Sequence, residues 1–138
     1  MQSPSVFNFF SPFFAPAGEI RNSNLVAPEL QIATEYQNTF ITNYFFLLTF
    51  EWNNAAADPG EDDVLIDLSQ EAGAAADTDA LIALVAGKLL GGDISTALDA
   101  ELRNMIGRVR STFPGNDVAV AAEAVYLVAT SPEFAYQR

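Results

Sequence analysis

The sequence contains no cysteine and no histidine, and Lys88 is its single lysine. Without histidine, the commonest general base and a common metal ligand are missing, which excludes Ser-His-Asp and Cys-His catalysis. Without cysteine there is no thiolate nucleophile, disulfide or iron–sulfur cluster. No glycine-rich phosphate loop precedes Lys88, so we interpret it as a solvated lysine at a helix end. No catalytic signature is left among these residue types.

Positive charge is also scarce. Eighteen Asp and Glu residues stand against six Lys and Arg, and the net charge of -12 opposes the phosphate backbone of nucleic acids. We therefore expect no nucleic-acid partner. The longest apolar run, Phe40–Phe50, is shorter than the roughly 20 residues that a membrane-spanning helix needs. The start of the chain has no basic region and is broken by Pro4, Pro12 and Pro16, so it predicts no signal peptide.

What the sequence does contain is enough apolar material for one core. Half of the residues are hydrophobic, which indicates one packed helical domain over residues 1–138 rather than a disordered polyanion. Residues 1–27 predict an irregular, extended lead segment, and residues 28–138 predict the helical body. Five phenylalanines of the lead segment form a candidate interface, because their exposure would leave a large apolar patch: Phe7, Phe9, Phe10, Phe13 and Phe14.

Helical periodicity and capping residues predict four main helices. A long aromatic helix begins at Pro28, ends near Glu51 or Trp52, and is expected to lie centrally. The other three are marked by caps and by apolar residues at helical spacing. One starts at Asp77 and ends at Gly91-Gly92, one starts at Asp93 or Ser95 and buries Leu98, Leu102, Met105, Ile106 and Val109, and one starts at Asn116 or Asp117 and runs from Val118 to Thr130.

The stretch between these helices is ambiguous. Val64–Leu68 is either a short extended piece or a lead-in to a weak helix around Ser69–Ala76. With either reading the fold class is the same: an all-α, compact bundle of about four main helices with an irregular, aromatic-rich N-terminal segment. The last helix, rich in small alanines, is expected to be buried in that bundle.

Both ends of the chain carry a recognisable pattern. Ser3-Pro4-Ser5-Val6-Phe7-Asn8-Phe9-Phe10-Ser11-Pro12, Leu25–Ile32 and Tyr126–Arg138 together resemble the C-terminal portion of the bacterial DUF 1800 family. The resemblance implies a mostly helical fold and an extracytoplasmic parent protein of which this chain is the C-terminal part. It implies no active-site residues and no cofactor.

Three sharper interpretations compete with plain surface or core roles. The acidic loop with Asp58, Glu61, Asp62 and Asp63 offers oxygen ligands for calcium, but it lacks the spacing of an EF-hand loop and fits a solvated loop better. A carboxylate pair among Glu29, Glu35 and Glu51 is a hypothesis for acid–base hydrolysis. The lead-segment phenylalanines, with Tyr36, Tyr44 and Trp52, either bind a sugar or lipid or form core and interface.

The sequence favours a non-enzymatic structural or protein-interaction module. Its expected partner is the rest of the parent protein, or a second copy bound through the aromatic segment. The alternatives are a part of a carboxylate-dependent hydrolase or polysaccharide-acting enzyme, and a calcium-dependent assembly module.

Overall fold

The protein has an all-α fold. The computed structural model describes residues 11–22, 24–32, 35–52 and 65–135, and every regular element within these ranges is helical. The chain divides into two compact units, an N-terminal unit, Met1–Thr42, and a helical unit, Asn43–Arg138. The prediction of a single domain with a lead segment over residues 1–27 stays a prediction. In the described residues no helix is long and apolar enough to cross a membrane.

The N-terminal unit has little regular structure before its last helix. It contains the short helix α1, Glu19–Asn22, and a 3-10 helix, Pro28–Ile32. Backbone bonds hold the irregular part: the N–H of Ala27 donates to the C=O of Phe14 at 2.8 Å. The Arg21 guanidinium donates to the C=O of Ala15 at 2.6 Å. Apart from α1, the described part of the lead segment has no regular structure.

The aromatic helix is not one continuous α-helix. After the 3-10 helix come α2, Glu35–Phe46, and a π-helix, Leu47–Trp52. The wider turn of the π-helix coincides with a cluster of bulky side chains, in which the Phe46 and Phe50 rings lie 6.1 and 5.5 Å from the Tyr126 ring. The helical periodicity of the sequence does not predict this change of helix type.

Five further helices follow in the helical unit. They are α3 (Ser69–Ala74), α4 (Thr78–Leu89), α5 (Thr96–Thr112), α6 (Asp117–Ala129) and α7 (Pro132–Ala135). The weak helix predicted around Ser69 exists, so the described part of Val64–Leu68 leads into a helix and is not a separate extended piece. The other three predicted helices also exist, with α4 and α5 separated by Gly91 and Gly92, both at positive φ.

Side-chain caps begin α4, α5 and α6 where the sequence predicts them. Asp77, Ser95 and Asn116 each accept hydrogen bonds from backbone N–H groups that would otherwise lack partners in the first turn. The bonds run from the Ala80 N–H to Asp77 at 3.3 Å, from the Leu98 N–H to Ser95 at 3.1 Å, and from the Ala119 N–H to Asn116 at 3.0 Å.

Helix α6 is the centre of the helical unit. It packs against α3, α4, α5, α7 and the π-helix. The prediction that it is buried is confirmed, while the expectation that the aromatic helix lies centrally is wrong, since Tyr44 and Leu47 are exposed. The largest fully buried side chains come from α4, α5 and α6: Leu81, Val85, Leu102, Ile106, Val120 and Val128.

Candidate functional site

An open apolar groove of about 580 Å³ lies on the helical unit. Its lining includes Val109 and Phe113 at the end of α5 and Val118, Ala119 and Ala122 in the first turns of α6. Thr49 and Phe50 of the π-helix also line it, as do Leu65, Ile66, Leu68 and Ser69 before and at the start of α3. Its volume lies in the range of sites that bind ligands or peptide side chains, about 300–1,000 Å³.

The turn between α5 and α6 exposes apolar side chains at this groove. Phe113 ends α5, its N–H donating to the Val109 C=O at 2.8 Å, and its side chain is 55% exposed. Gly115 has a φ of 77°, which reverses the chain. Asn116 then caps α6, so Val118 lies in the first turn, where it is 58% exposed. Because Phe113 and Val118 lie at helix ends, no further turn of the same helix packs over their side chains.

Asp67 forms a local turn beside the lining residues Leu65, Ile66 and Leu68. The Ser69 N–H donates to the Asp67 carboxylate at 2.9 Å. Hydrogen bonding from the Ser69 side chain, and then from this N–H, holds the pKa of Asp67 below its usual range. Leu65 lines the groove and is exposed, so this segment adds apolar surface to the groove.

Glu123 is the one carboxylate among the residues that line the groove. It is half-buried, and desolvation by burial raises its pKa. No described residue forms an ion pair or hydrogen bond with its carboxylate. A carboxylate in apolar surroundings without a counterion is costly to keep charged, so it will interact strongly with a cation brought to it.

The cations of the helical unit that the structure describes are all bound elsewhere. The predicted Asp99–Arg103 ion pair is confirmed, and hydrogen bonding to Arg103 lowers the pKa of Asp99. Lys88 binds Glu71 at 2.7 Å, Arg103 binds Asp79 at 2.6 Å and Asp99 at 2.8 Å, Arg108 binds Glu101 at 3.3 Å, and Arg110 donates to Thr78 at 2.8 Å and to the Ala75 C=O.

A second carboxylate, Glu71 on α3, is more deeply buried than Glu123. Its residue exposure is 3%, and its Oε1 accepts a hydrogen bond from Lys88 Nζ of α4. Its Oε2 is buried without a hydrogen-bond partner. Lys88 is thus at a helix end, as predicted, but it is ion-paired rather than simply solvated. Glu71 is not among the residues lining the groove, so the two carboxylates do not form a catalytic pair there.

The sequence-predicted interface is only partly described. Phe7, Phe9 and Phe10 lie outside the described residues. Phe13 is 84% exposed, and Phe14 is partly buried. The interface assigned to these phenylalanines stays a prediction.

The other predicted sites are not assembled among the described residues. Asp58, Glu61, Asp62 and Asp63 lie outside them, and the described part of the chain holds no group of three acidic residues placed to bind a metal ion. The side chains of Glu29 and Glu35 are also outside the description, while Glu51 is exposed. Calcium binding and a carboxylate pair on this helix stay predictions.

The groove and Glu123 are not predicted from the sequence, although α6 carries a signal for the carboxylate. Glu123 is the one charged residue of α6 beyond its first turn, in an otherwise apolar helix. Such a residue either reaches solvent at the edge of a bundle or serves a site. The groove itself has no local signal, because four separate segments form it.

Comparison with known proteins gives no relative. The chain matches no protein-family model, and neither the curated proteins nor the solved structures contain a significant match to it.

Proposed function

We propose that this chain is a non-enzymatic protein-interaction module whose helical unit binds a segment of another polypeptide in the apolar groove. We further propose that it is the C-terminal part of an exported bacterial protein of the DUF 1800 family, with the rest of that protein as a partner. The resemblance of the two chain ends supports the second statement. The first rests on the groove itself.

The observation that carries the proposal is the exposure of three apolar side chains that line the groove. Leu65, Phe113 and Val118 are 38%, 55% and 58% exposed although they belong to a unit with a well-packed core. Covering what remains exposed of the three would contribute on the order of 3 kcal/mol to binding. Contiguous exposed apolar surface of this kind is typical of interaction sites.

The test is an amide NMR titration of the chain with a synthetic helical peptide that has a stripe of leucines and a polar face of glutamines, named here the glutamine peptide. We expect shifts concentrated at Val118, Ala119 and Ala122. Val118→Asp should weaken binding by about tenfold or more, because the bound peptide would bury an unpaired carboxylate. The substitution should not unfold α6, since an acidic residue is favourable in a first turn.

Ala97→Asp is the matched control. Ala97 is exposed and occupies the same position in the first turn of α5 that Val118 occupies in α6, so the added charge is the same. Peptide binding should survive this change. Peptide shifts that avoid the groove, or equal binding by Val118→Asp and Ala97→Asp, would overturn the proposal.

One observation favours a second candidate function, part of a carboxylate-dependent hydrolase. The raised pKa of Glu123 is the property that a general acid needs. Hydrolysis of glycosides requires a second carboxylate, and none lines the groove among the described residues. Turnover of nitrophenyl glycosides by the chain, lost in Glu123→Gln, would establish the enzyme and contradict the interaction module.

A further inference from the structure

We propose that the occupant of the groove is a basic amphipathic helix of the partner, which places apolar side chains on Phe113 and Val118 and a lysine or arginine on Glu123. This inference rests on the proposed function and names the chemistry of its partner. Its basis is charge complementarity between the groove and an incoming cation.

Glu123 has no counterion among the described residues. The lysine and all three arginines described in the helical unit are engaged with other groups, and none of them binds Glu123. A partner that brings a cation pairs the carboxylate, and by covering the groove it removes the solvent that screens this carboxylate in the free chain. A partner with an acidic or purely apolar face would leave the carboxylate buried and unpaired, which is costly.

Exposed acidic residues adjoin the lining residues along the chain. Glu51 follows Phe50, Asp67 lies between Ile66 and Leu68, and Asp117 lies between Asn116 and Val118; all three acidic residues are exposed. Hydrogen bonding keeps the pKa of Asp67 low, so this carboxylate is charged at neutral pH. Together with the net charge of -12 they accelerate the approach of a basic segment and repel an acidic one.

The dimensions of α6 fit a helical partner. Val118 and Glu123 are five residues apart, which is about 7.5 Å along the axis of α6 and about 140° around it, so they lie toward the two edges of the side that lines the groove. A partner helix that crosses this side of α6 places an apolar residue against Val118, and the long side chain of a lysine or arginine reaches Glu123. This is binding of a helix in a groove.

The test compares the glutamine peptide with a lysine peptide, in which one glutamine at the edge of the leucine stripe, one turn from its central leucine, is replaced by lysine. We expect the lysine peptide to bind about 5- to 20-fold more tightly at physiological salt. In the Glu123→Gln variant that preference should disappear. In Glu101→Gln, which removes the same charge from an exposed position on α5 outside the groove lining, the preference should remain.

The outcomes separate this inference from the proposed function. Equal binding of the two peptides, with shifts still at the groove, would overturn the basic partner and leave the interaction module standing. If the Glu123→Gln variant still prefers the lysine peptide, the preference comes from the net negative charge of the whole chain and not from Glu123. That result would also overturn the inference. Failure of both peptides to bind would remove both proposals.

A second copy of the chain is the remaining occupant that the experiment must distinguish. Light scattering across a concentration series measures self-association directly. We expect that the chain does not dimerise through the groove, so Val118→Asp should leave its mass in solution unchanged. A dimer that Val118→Asp dissociates and Ala97→Asp does not would mean that the chain fills its own groove, against the basic partner.

Discussion

The two units of the molecule treat their apolar residues in opposite ways. In the helical unit, α4, α5 and α6 bury a continuous set of leucine, isoleucine and valine side chains. In the N-terminal unit, Ala27 is the one buried hydrophobic residue among those described, while Phe13, Leu25 and Val26 are exposed. Backbone hydrogen bonds, such as Leu25 N–H to the Ile20 C=O at 2.9 Å, hold the shape there instead.

The difference teaches that the pattern of apolar residues, and not their number, decides burial. In α5 the buried residues all fall on one face of the helix, and the other positions are mostly polar. Such a helix buries its apolar side by packing against one neighbour. The N-terminal unit is rich in phenylalanine but has no such periodicity before α2, and its prolines prevent it. Its described apolar side chains, such as Phe13, therefore stay exposed.

The largest expected effect comes from breaking the packed core. Leu102 on α5 is 1% exposed and Phe13 is 84% exposed. Leu102→Ala should lower the free energy of unfolding by about 3 kcal/mol because it leaves a cavity. Phe13→Ala removes a larger side chain but should change the free energy by less than about 0.5 kcal/mol. Urea unfolding followed by circular dichroism measures both.

An equal loss in the two variants would contradict the comparison. It would mean that Phe13 is covered in solution, by another part of the chain or by a second copy. Repeating the Phe13→Ala measurement at several protein concentrations separates these causes, since a contact between copies makes the loss concentration-dependent.

Much of the helical unit could be predicted from the sequence, for reasons that are local. Asp77, Ser95 and Asn116 cap helices by contacts within three residues, so the signal and the structure lie in the same short stretch. The buried face of α5 follows from a spacing of three and four residues, and all five residues assigned to it are buried. Local chemistry and helical periodicity suffice here because one neighbouring face completes the burial.

The aromatic helix could not be predicted as well. Its apolar residues surround the helix, so periodicity does not say which side is buried, and Phe46 and Leu47 remain exposed. Its π-helical end packs on a ring from a distant helix, as in the contact of Phe50 with Tyr126, which no local pattern predicts. The same is true of Glu71 and Lys88, which lie on different helices and meet only through tertiary packing.

The second expected effect tests that buried pair. Lys88→Met should lower the free energy of unfolding by about 2–3 kcal/mol, because Glu71 would keep a buried charge without its partner. The double variant with Glu71→Gln should recover part of the loss. Arg108→Met is the control, since the Arg108–Glu101 pair is exposed on both sides and should contribute at most about 0.5 kcal/mol. Equal losses for Lys88→Met and Arg108→Met would show that Glu71 is solvated.

The third effect concerns a cap that also joins two helices. Ser95 accepts from the Leu98 N–H, its own N–H donates to the Glu133 carboxylate at 3.1 Å, and its hydroxyl donates to the same carboxylate. Ser95→Ala should therefore cost about 1–2 kcal/mol in thermal or urea unfolding. Arg21→Met, which removes a side-chain bond to the Ala15 C=O in the N-terminal unit, should leave the main transition unchanged. A cost near zero for Ser95→Ala would mean that solvent replaces these bonds.

The candidate site was less predictable than the core because it is assembled from distant segments. Thr49, Leu65, Phe113 and Val118 line one groove, yet they belong to four parts of the chain. Among the lining residues, only Glu123 has a signal in the sequence, because it is an isolated charge in an otherwise apolar helix. The carboxylates that the sequence analysis singled out were those of the acidic loop and those of the aromatic helix, whereas the described carboxylate with a raised pKa is Glu123.

The smallest expected effect tests Glu123 through pH. Because burial raises its folded-state pKa above the ordinary value of 4.5, the proton is held more tightly in the folded protein. The raised pKa of Glu123 contributes to the free energy of unfolding. That contribution is fully present below the unfolded-state pKa and is lost as pH rises through the folded-state pKa. Glutamine does not titrate, so Glu123→Gln should be slightly more stable than the native chain at pH 7 and equal to it near pH 3.5.

The size of that difference should be about a few tenths of a kcal/mol, since Glu123 is only half-buried and solvent screens it. Thermal unfolding of the two proteins across pH 3.5–8 measures it, with Glu101→Gln as the exposed control. A variant that is more stable alone and yet has lost its preference for the lysine peptide would identify a residue kept for binding at a cost in stability. If Glu123→Gln is instead less stable at pH 7, the carboxylate has a partner in the folded chain, and the groove carries no free charge for a basic helix.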